Sequence, residues 1–193
     1  MAERDGQALR MVIVRDLRAA LAQRAHIHHL AHHDPLTNLP NRHAFMERLA
    51  EQMSGSRVKE KKGALLCSDL DHFKRVNDSL GHAAGDRMLA EVGERLKNSL
   101  RQADTVARLG GDEFAILARN LTGYEDAIEL AERMQHALRE PLPVNGFSVS
   151  ASASIGITFS SIGYSRPEDM LRDADIAMYR AKQDGKARHA LFD

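Results

Sequence analysis

The chain predicts an α+β fold in which a sheet with antiparallel neighbours carries helices over its face, rather than a doubly wound parallel sheet. Three observations predict it. Helix-like and strand-like segments follow one another as helix, helix, strand, helix, strand–strand, helix, strand, helix, strand. Residues 105–109 and 113–118 are apolar runs joined by Gly110-Gly111-Asp112, which reads as a β-hairpin and forces two strands to run antiparallel. Residues 147–159 alternate Val149, Ala151, Ala153, Ile155 and Ile157 with Ser150, Ser152, Ser154 and Gly156, the period-2 pattern of a strand.

At 193 residues the chain is long enough for one domain with a sizeable core and something extra. Basic and acidic residues balance at 27 each, so nothing in the charge points to general nucleic-acid or anionic-membrane binding. The single cysteine, Cys67, rules out a disulfide framework and suits a reducing, cytoplasmic setting. No apolar run is long enough to span a bilayer, no signal-peptide pattern is visible, and direct membrane contact is not expected of this stretch.

Residues 8–31 read as a helix that precedes the domain, with Ile13, Leu17, Ala20, Ile27 and Ala31 on an imperfect seam interrupted by Arg24. This fits a short coiled-coil stalk or an amphipathic helix packed on its own domain. Residues 1–33 are accordingly set apart as a helical stalk or linker and 34–193 as the domain. His26, His28, His29, His32 and His33 cluster at the junction. The 28/32 and 29/33 pairs have a spacing open to a metal, but no Cys or carboxylate set accompanies them, and solvated or partner-facing histidines are the plainer reading.

The proline- and asparagine-rich run 34–42 ends the stalk. Asn41 reads as the N-cap of a helix over about 42–53 with Phe45, Leu49 and Met53 inward. A polar loop follows over 54–62. Ala64-Leu65-Leu66-Cys67 begins a buried strand that ends in Ser68-Asp69-Leu70-Asp71, where the i, i+2 spacing puts Asp69 and Asp71 on one face. Residues 72–76 read as a helical turn and 77–81 as a turn. A helix over about 82–100 carries the stripe Met88, Leu89, Val92, Leu96 and Leu100. After the hairpin, 124–139 reads as a helix that Pro141 and Pro143 break. Ser165 and Pro167 start a last helix that Gly185 ends, and 190–192 reads as a closing strand.

Chemistry concentrates at the hairpin tip. Asp112 and Glu113 are adjacent carboxylates at the exposed entry to a strand, where like charges repel and strands disfavour acids. The stretch reads either as a polar turn or as one lip of a site for a hard divalent cation. Asp69, at the end of an earlier strand, is a third acid that the fold can bring alongside.

The ordered set of motifs resembles the GGDEF, or diguanylate cyclase, family. It comprises Asp34-Pro-Leu-Thr-Asn-Leu-Pro-Asn-Arg42, Asp69-Leu-Asp-His-Phe-Lys74, Asn77-Asp-Ser-Leu-Gly-His-Ala-Ala-Gly-Asp86, Arg108-Leu-Gly-Gly-Asp-Glu-Phe114, Ser154-Ile-Gly-Ile157 and Ala174-Asp-Ile-Ala-Met-Tyr-Arg-Ala-Lys-Gln-Asp-Gly185. The resemblance covers residues 34 to about 190. It implies a fold like the palm of adenylate cyclases and many polymerases. The implied reaction joins two GTP into cyclic di-GMP and two pyrophosphates, each domain of a homodimer holding one GTP.

By the same resemblance, Asp69, the backbone carbonyl of Leu70, Asp112 and Glu113 hold Mg²⁺ or Mn²⁺, two ions per half-site. Asp112 is the expected proton acceptor and Glu113 assists. Asn77 and Asp86 read guanine, His82 lies near the ribose, and Lys74, Lys182 and Lys186 serve the triphosphate. Lys186 departs from the arginine frequent at its position; it supplies charge but no bidentate fork. Arg101 and Asp104, spaced as Arg-x-x-Asp before the hairpin, match the family's product-inhibition site for cyclic di-GMP. Arg133 matches a second arginine contributed by a neighbouring domain, and Arg108 is a further candidate. Two other functions stay open: a GTP-binding regulatory module of a larger signalling protein, and an interaction module acting through the stalk.

Overall fold

A computed structural model describes residues 22–24, 27–55, 62–144 and 146–193. Most of the expected stalk, residues 8–31, lies outside the described residues; the described remainder, 22–24 and 27–31, is helical. The elements are α1 (Arg42–Gly55), β1 (Lys62–Leu70), α2 (Phe73–Leu80), α3 (His82–Asn98), β2 (Thr105–Gly110), β3 (Glu113–Leu121), α4 (Glu125–Arg139), β4 (Leu142–Val144), β5 (Phe147–Val149), β6 (Ala153–Phe159), α5 (Pro167–Gln183) and β7 (His189–Leu191).

The main sheet has the order β2-β3-β1-β6-β7. The pairs β2–β3, β3–β1 and β1–β6 are antiparallel, and β6–β7 is parallel. The mostly antiparallel α+β sheet is therefore as expected. Helices cover both of its faces. Alternation along β1 and β3 sends Leu66, Phe114 and Ile116 into a core with Met88, Leu96 and Met134 of α3 and α4. Their neighbours Leu65, Cys67, Ala115 and Leu117 enter a second core with Phe45 and Leu49 of α1 and Met170, Ala174 and Met178 of α5. Central strands lose their polar face when both sides are covered. Every residue of β6 is accordingly buried, Ser154 and Thr158 included.

Two sequence expectations change. The single strand over 147–159 divides: β5 pairs with β4 in a separate hairpin turning at Gly146, and only β6 joins the main sheet. The break falls where Asp71 takes hold of the chain. Its backbone N–H donates to the Ser152 carbonyl, and its carboxylate accepts from the Ser152 and Ser154 hydroxyls at 2.9 and 2.7 Å and from the Ala187 N–H at 2.9 Å. The second change is at 72–81, where two turns were expected and α2 forms. Phe73, Val76 and Leu80 supply the i, i+3, i+7 face that packs on the core.

The Asn41 cap forms as expected, its Oδ1 accepting from the Ala44 N–H at 3.0 Å. Gly156 has a packing reason. A Cβ there would lie 2.0 Å from the Ala174 carbonyl oxygen and 2.2 Å from the Met178 nitrogen, so α5 lies with its backbone directly on β6.

Candidate active site

The register of the sheet builds the site. Asp69, the penultimate residue of β1, pairs with Glu113, the first residue of β3. Asp69 shares its strand face with Leu65 and Cys67, and Glu113 shares its face with Ala115 and Leu117; both faces belong to the α1–α5 side. Two carboxylates thus stand opposite one another on one face of the sheet, an arrangement that costs stability without a balancing cation. The tip is fastened to the strand end, because the Leu70 N–H donates to the Asp112 carbonyl at 3.2 Å. Gly110 and Gly111 have φ of 142° and 52°, and added Cβ atoms there would meet nothing within 4 Å. The glycines are required by backbone conformation, and the space over the turn is open.

Burial first, and then the neighbouring acids, pushes Glu113 above the ordinary carboxylate range: Asp175 and Asp69 raise it, while Arg42 opposes. Asp69 is also raised, by burial foremost and with Asp112 and Asp71 adding, while Lys182 opposes. The Lys182 Nζ stands 2.7 Å from an Asp69 oxygen and supplies one positive charge to the group. Asp69, Asp112 and Glu113 do not close to within 4.8 Å of one another. The donor set is oxygen-only and hard, which suits Mg²⁺ or Mn²⁺.

Beside these acids is a cleft of about 320 Å³ lined by Asp69, Leu70, Lys74, Asp112, Lys182 and Lys186, among others. Two separate segments, the start of α2 and the C-terminal end of α5 with the turn after it, thus deliver lysines to one place. Lys186 and Ala187 are held at φ of 63° and 49°, with the Lys186 N–H bonded to the Ala181 carbonyl and Ala187 bonded to Asp71. The duty of Asp71 is therefore to anchor this loop and the β6 entry.

Asn77, His82 and Asp86 do not line that cleft. They stand on the α2–α3 hairpin that adjoins it, His82 opening α3 and Asp86 exposed one turn later. Gly85 makes room for Asn77, since a Cβ at that position would lie 1.9 Å from Asn77 Oδ1.

Away from the cleft, Arg101 is exposed on the turn before β2. Asp104 stabilises that turn, accepting from the Arg101 and Arg119 backbone N–H groups at 3.1 Å each. A groove of about 440 Å³ next to it is lined by Arg101, Asp104, Arg48, Lys97 and His33. Arg133 is exposed and donates to the Ser99 carbonyl. The Arg108 guanidinium grips both Asp34 oxygens at 3.0 Å and the Gly111 carbonyl at 2.9 and 2.7 Å, bracing the hairpin turn from behind.

Sequence reasoning missed Asp175 and Arg42. Asp175, on α5, accepts from the Cys67 thiol and is pushed up by burial, with Cys67, Arg42 and Lys182 opposing. Its signal was available: Asp175 lies among Ala174, Ala177 and Met178, an acid beside an apolar stripe.

A mixed five-stranded sheet flanked by helices, with a Gly-Gly-Asp-Glu hairpin set against an aspartate-ended strand, is the architecture of GGDEF domains. The family model described as "Diguanylate cyclase, GGDEF domain" matches residues 31–188, and the chain belongs to that family. It is 41% identical over 172 residues to diguanylate cyclase TpbB of Pseudomonas aeruginosa, covering 89% of this chain and 40% of that protein. It is 38% identical over 178 residues to the cyclic di-GMP phosphodiesterase NbdA of the same species, covering 90% of this chain and 23% of NbdA. The chain thus spans less than half the length of these relatives. Among solved structures, the GGDEF domain of TpbB superposes with a TM-score of 0.81 at 40% identity, covering 84% of this chain and 95% of that one. The coiled coil and GGDEF domain of DgcB from Caulobacter crescentus, solved in complex with c-di-GMP, gives 0.84 at 25% identity, covering 99% and 100%.

Proposed function

We propose that this chain is an active diguanylate cyclase domain that joins two GTP into cyclic di-GMP. The observation that carries the reading is the cross-strand pair Asp69–Glu113, with Asp112 at the tip, beside a cleft lined by Lys74, Lys182 and Lys186. Structural acids would not be gathered at a strand end against their own repulsion, and a triphosphate with its cations is the ligand that such alternating acid and base chemistry fits.

Asp69, Asp112, Glu113 and the Leu70 carbonyl would hold Mg²⁺ or Mn²⁺. When bound, the metal neutralises charge on the α-phosphoryl group and on the departing pyrophosphate. The protein's residues do the rest. Lys74, Lys182 and Lys186 hold the triphosphate, with Lys182 released from Asp69 to do so. Asn77 donates and accepts along the guanine edge and the Asp86 carboxylate accepts from guanine N1–H and the exocyclic amine, a pairing that adenine cannot satisfy, and His82 stands near the ribose. The 3′-hydroxyl of one GTP attacks the α-phosphorus of the other, and the bond to the bridging oxygen of pyrophosphate breaks. Asp112 takes the hydroxyl proton. The second bond forms the same way with the roles exchanged, so two domains must face each other.

Product acts back at the second groove. Arg101 and Asp104, with Arg133 from a neighbouring domain, bind cyclic di-GMP through guanidinium forks and lower the rate. The nucleotide supply places the reaction in the cytoplasm. Incubation with GTP and Mg²⁺ tests the reading: the wild-type chain makes cyclic di-GMP, with a rate that rises more steeply than linearly with protein concentration while the dimer is weak. Asp112→Ala makes none. If Arg101→Ala leaves product affinity unchanged by calorimetry, the feedback assignment is wrong. A second reading, a GTP-binding module without turnover, is favoured by the likeness to a relative named as a phosphodiesterase. GTP binding with no product at high protein concentration would establish it in place of the first.

A further inference from the structure

The histidines at the entrance to the domain have no part in the GTP half-site, yet one of them meets two side chains of α1. His32 Nε2 lies 3.7 Å from one Glu47 oxygen, and His43 Nε2 lies 3.5 Å from the other. The three donor atoms are all within 4.8 Å of one another, and among the described residues no other trio of His, Cys, Asp or Glu side chains is so close. His43 and Glu47 are four apart and share a helix face. His32 comes from the helical turn before Asp34, so the cluster joins two separate segments.

The geometry is that of a ligand set. The His32 ring is held by a hydrogen bond of 2.9 Å from Nδ1–H to the His28 carbonyl, and the His28 ring stacks on it at 4.3 Å. A ring that donates through Nδ1 presents its lone pair at Nε2, the atom that faces Glu47. This is the outer hydrogen bond by which metal-binding histidines are usually oriented. Zinc ligands at bond lengths of about 2.1 Å stand about 3.4 Å apart in a tetrahedron. The two His–Glu gaps are already close to that, so small side-chain rotations suffice. Two imidazoles and a carboxylate select borderline transition ions over Mg²⁺, which prefers the all-oxygen acids of the hairpin.

We propose that His32, His43 and Glu47 form a Zn²⁺-type metal site with its fourth position open to water. Bound metal ties the segment that enters the domain to its first helix.

Titration of the untagged full chain with Co²⁺ in excess Mg²⁺ tests this, since Mg²⁺ keeps the hairpin acids occupied and nitrogen-ligated Co²⁺ absorbs visibly. The expected result is one Co²⁺ per chain, displaced by Zn²⁺. His43→Ala and Glu47→Gln each weaken binding at least about tenfold. His28→Gln, which retains its backbone carbonyl, stays within about threefold, because an outer-sphere carbonyl is unchanged. His43 and Glu47 are exposed, so these variants keep the fold, and far-UV circular dichroism checks that they do. Absence of the Co²⁺ band, binding that survives His43→Ala, or binding lost in His28→Gln overturns the assignment; the last outcome would place the ion on the stacked pair His28 and His32 instead.

Discussion

Replacing Arg108 by Met keeps most of the side-chain bulk and removes the guanidinium that links Asp34 to the hairpin turn. The ion-paired side chains are only 12% and 16% exposed, so this is a pair with little access to water. Breaking a buried pair from one side costs about 3–5 kcal/mol, because the remaining charge is left uncompensated. Asp34 would still accept from the Thr37 N–H and hydroxyl, both at 2.8 Å, which argues for the low end, about 3 kcal/mol. At this chain length that is a fall in Tm of about 6–12 °C. The Gly111 carbonyl loses both of its guanidinium donors at the same time, so the turn carrying Asp112 loosens and GTP turnover falls with it.

The pH dependence of the same variant carries the sign. Burial pushes the Asp34 carboxyl up, but the bonds from Thr37 and Arg108 outweigh it and hold the group below its ordinary value of 3.8. A depressed folded-state value contributes stability that is present above the unfolded value and lost as pH falls through the folded one. The gap in Tm between wild type and Arg108→Met is therefore full at neutral pH and narrows below about pH 4. Thermal unfolding followed by circular dichroism at pH 7 and in acid reads both. Asp34→Asn in the same background adds less than its separate cost, since the two residues share one interaction. A Tm change under about 2 °C at pH 7 refutes the reasoning, because it is less than 1 kcal/mol would produce.

Gly156→Ala drives a methyl group into the backbone of α5, which cannot rotate away, and the expected loss exceeds the usual overpacking cost of about 1–3 kcal/mol; soluble yield and Tm fall together. Gly85→Ala meets the amide end of Asn77 at 1.9 Å and the tip of the Phe73 ring at 3.1 Å, two side chains rather than backbone, so the fold survives and Asn77 is displaced. Its signature is weaker GTP binding by about tenfold, the equivalent of one lost hydrogen bond of about 1.4 kcal/mol, and weaker discrimination against ATP. Glu113→Gln removes one of two opposed carboxylates. In chelator it raises stability by up to about 1 kcal/mol, and with Mg²⁺ and GTP it lowers turnover; a fall in metal-free Tm argues against repulsion at the strand end.

The residues around 105–121 specified their own hairpin, because the apolar runs and the glycines between them are local. The Asn41 cap and the inward stripes of α1, α3, α4 and α5 are local for the same reason: each periodicity is written in one element's own side chains. The acids that form the site were also identifiable, since Asp69, Asp112 and Glu113 stand at strand ends where an acid is out of place. Less was readable at 72–81, where Phe73, Val76 and Leu80 have helical spacing but polar residues between them look like turns. The interruption at Ser150–Ser152 left the period-2 pattern intact and could not be seen from alternation.

Tertiary structure alone decided which strands pair and in what register. That register sets Asp69 opposite Glu113, brings Asp175 and Arg42 from two helices to the same face, and assigns Asp71 to hold a loop more than 100 residues away. It also sets Arg108 as a brace between Asp34 and the hairpin turn. The physical reason is that a side chain's periodicity depends on its own segment, whereas its partner depends on where every other segment packs.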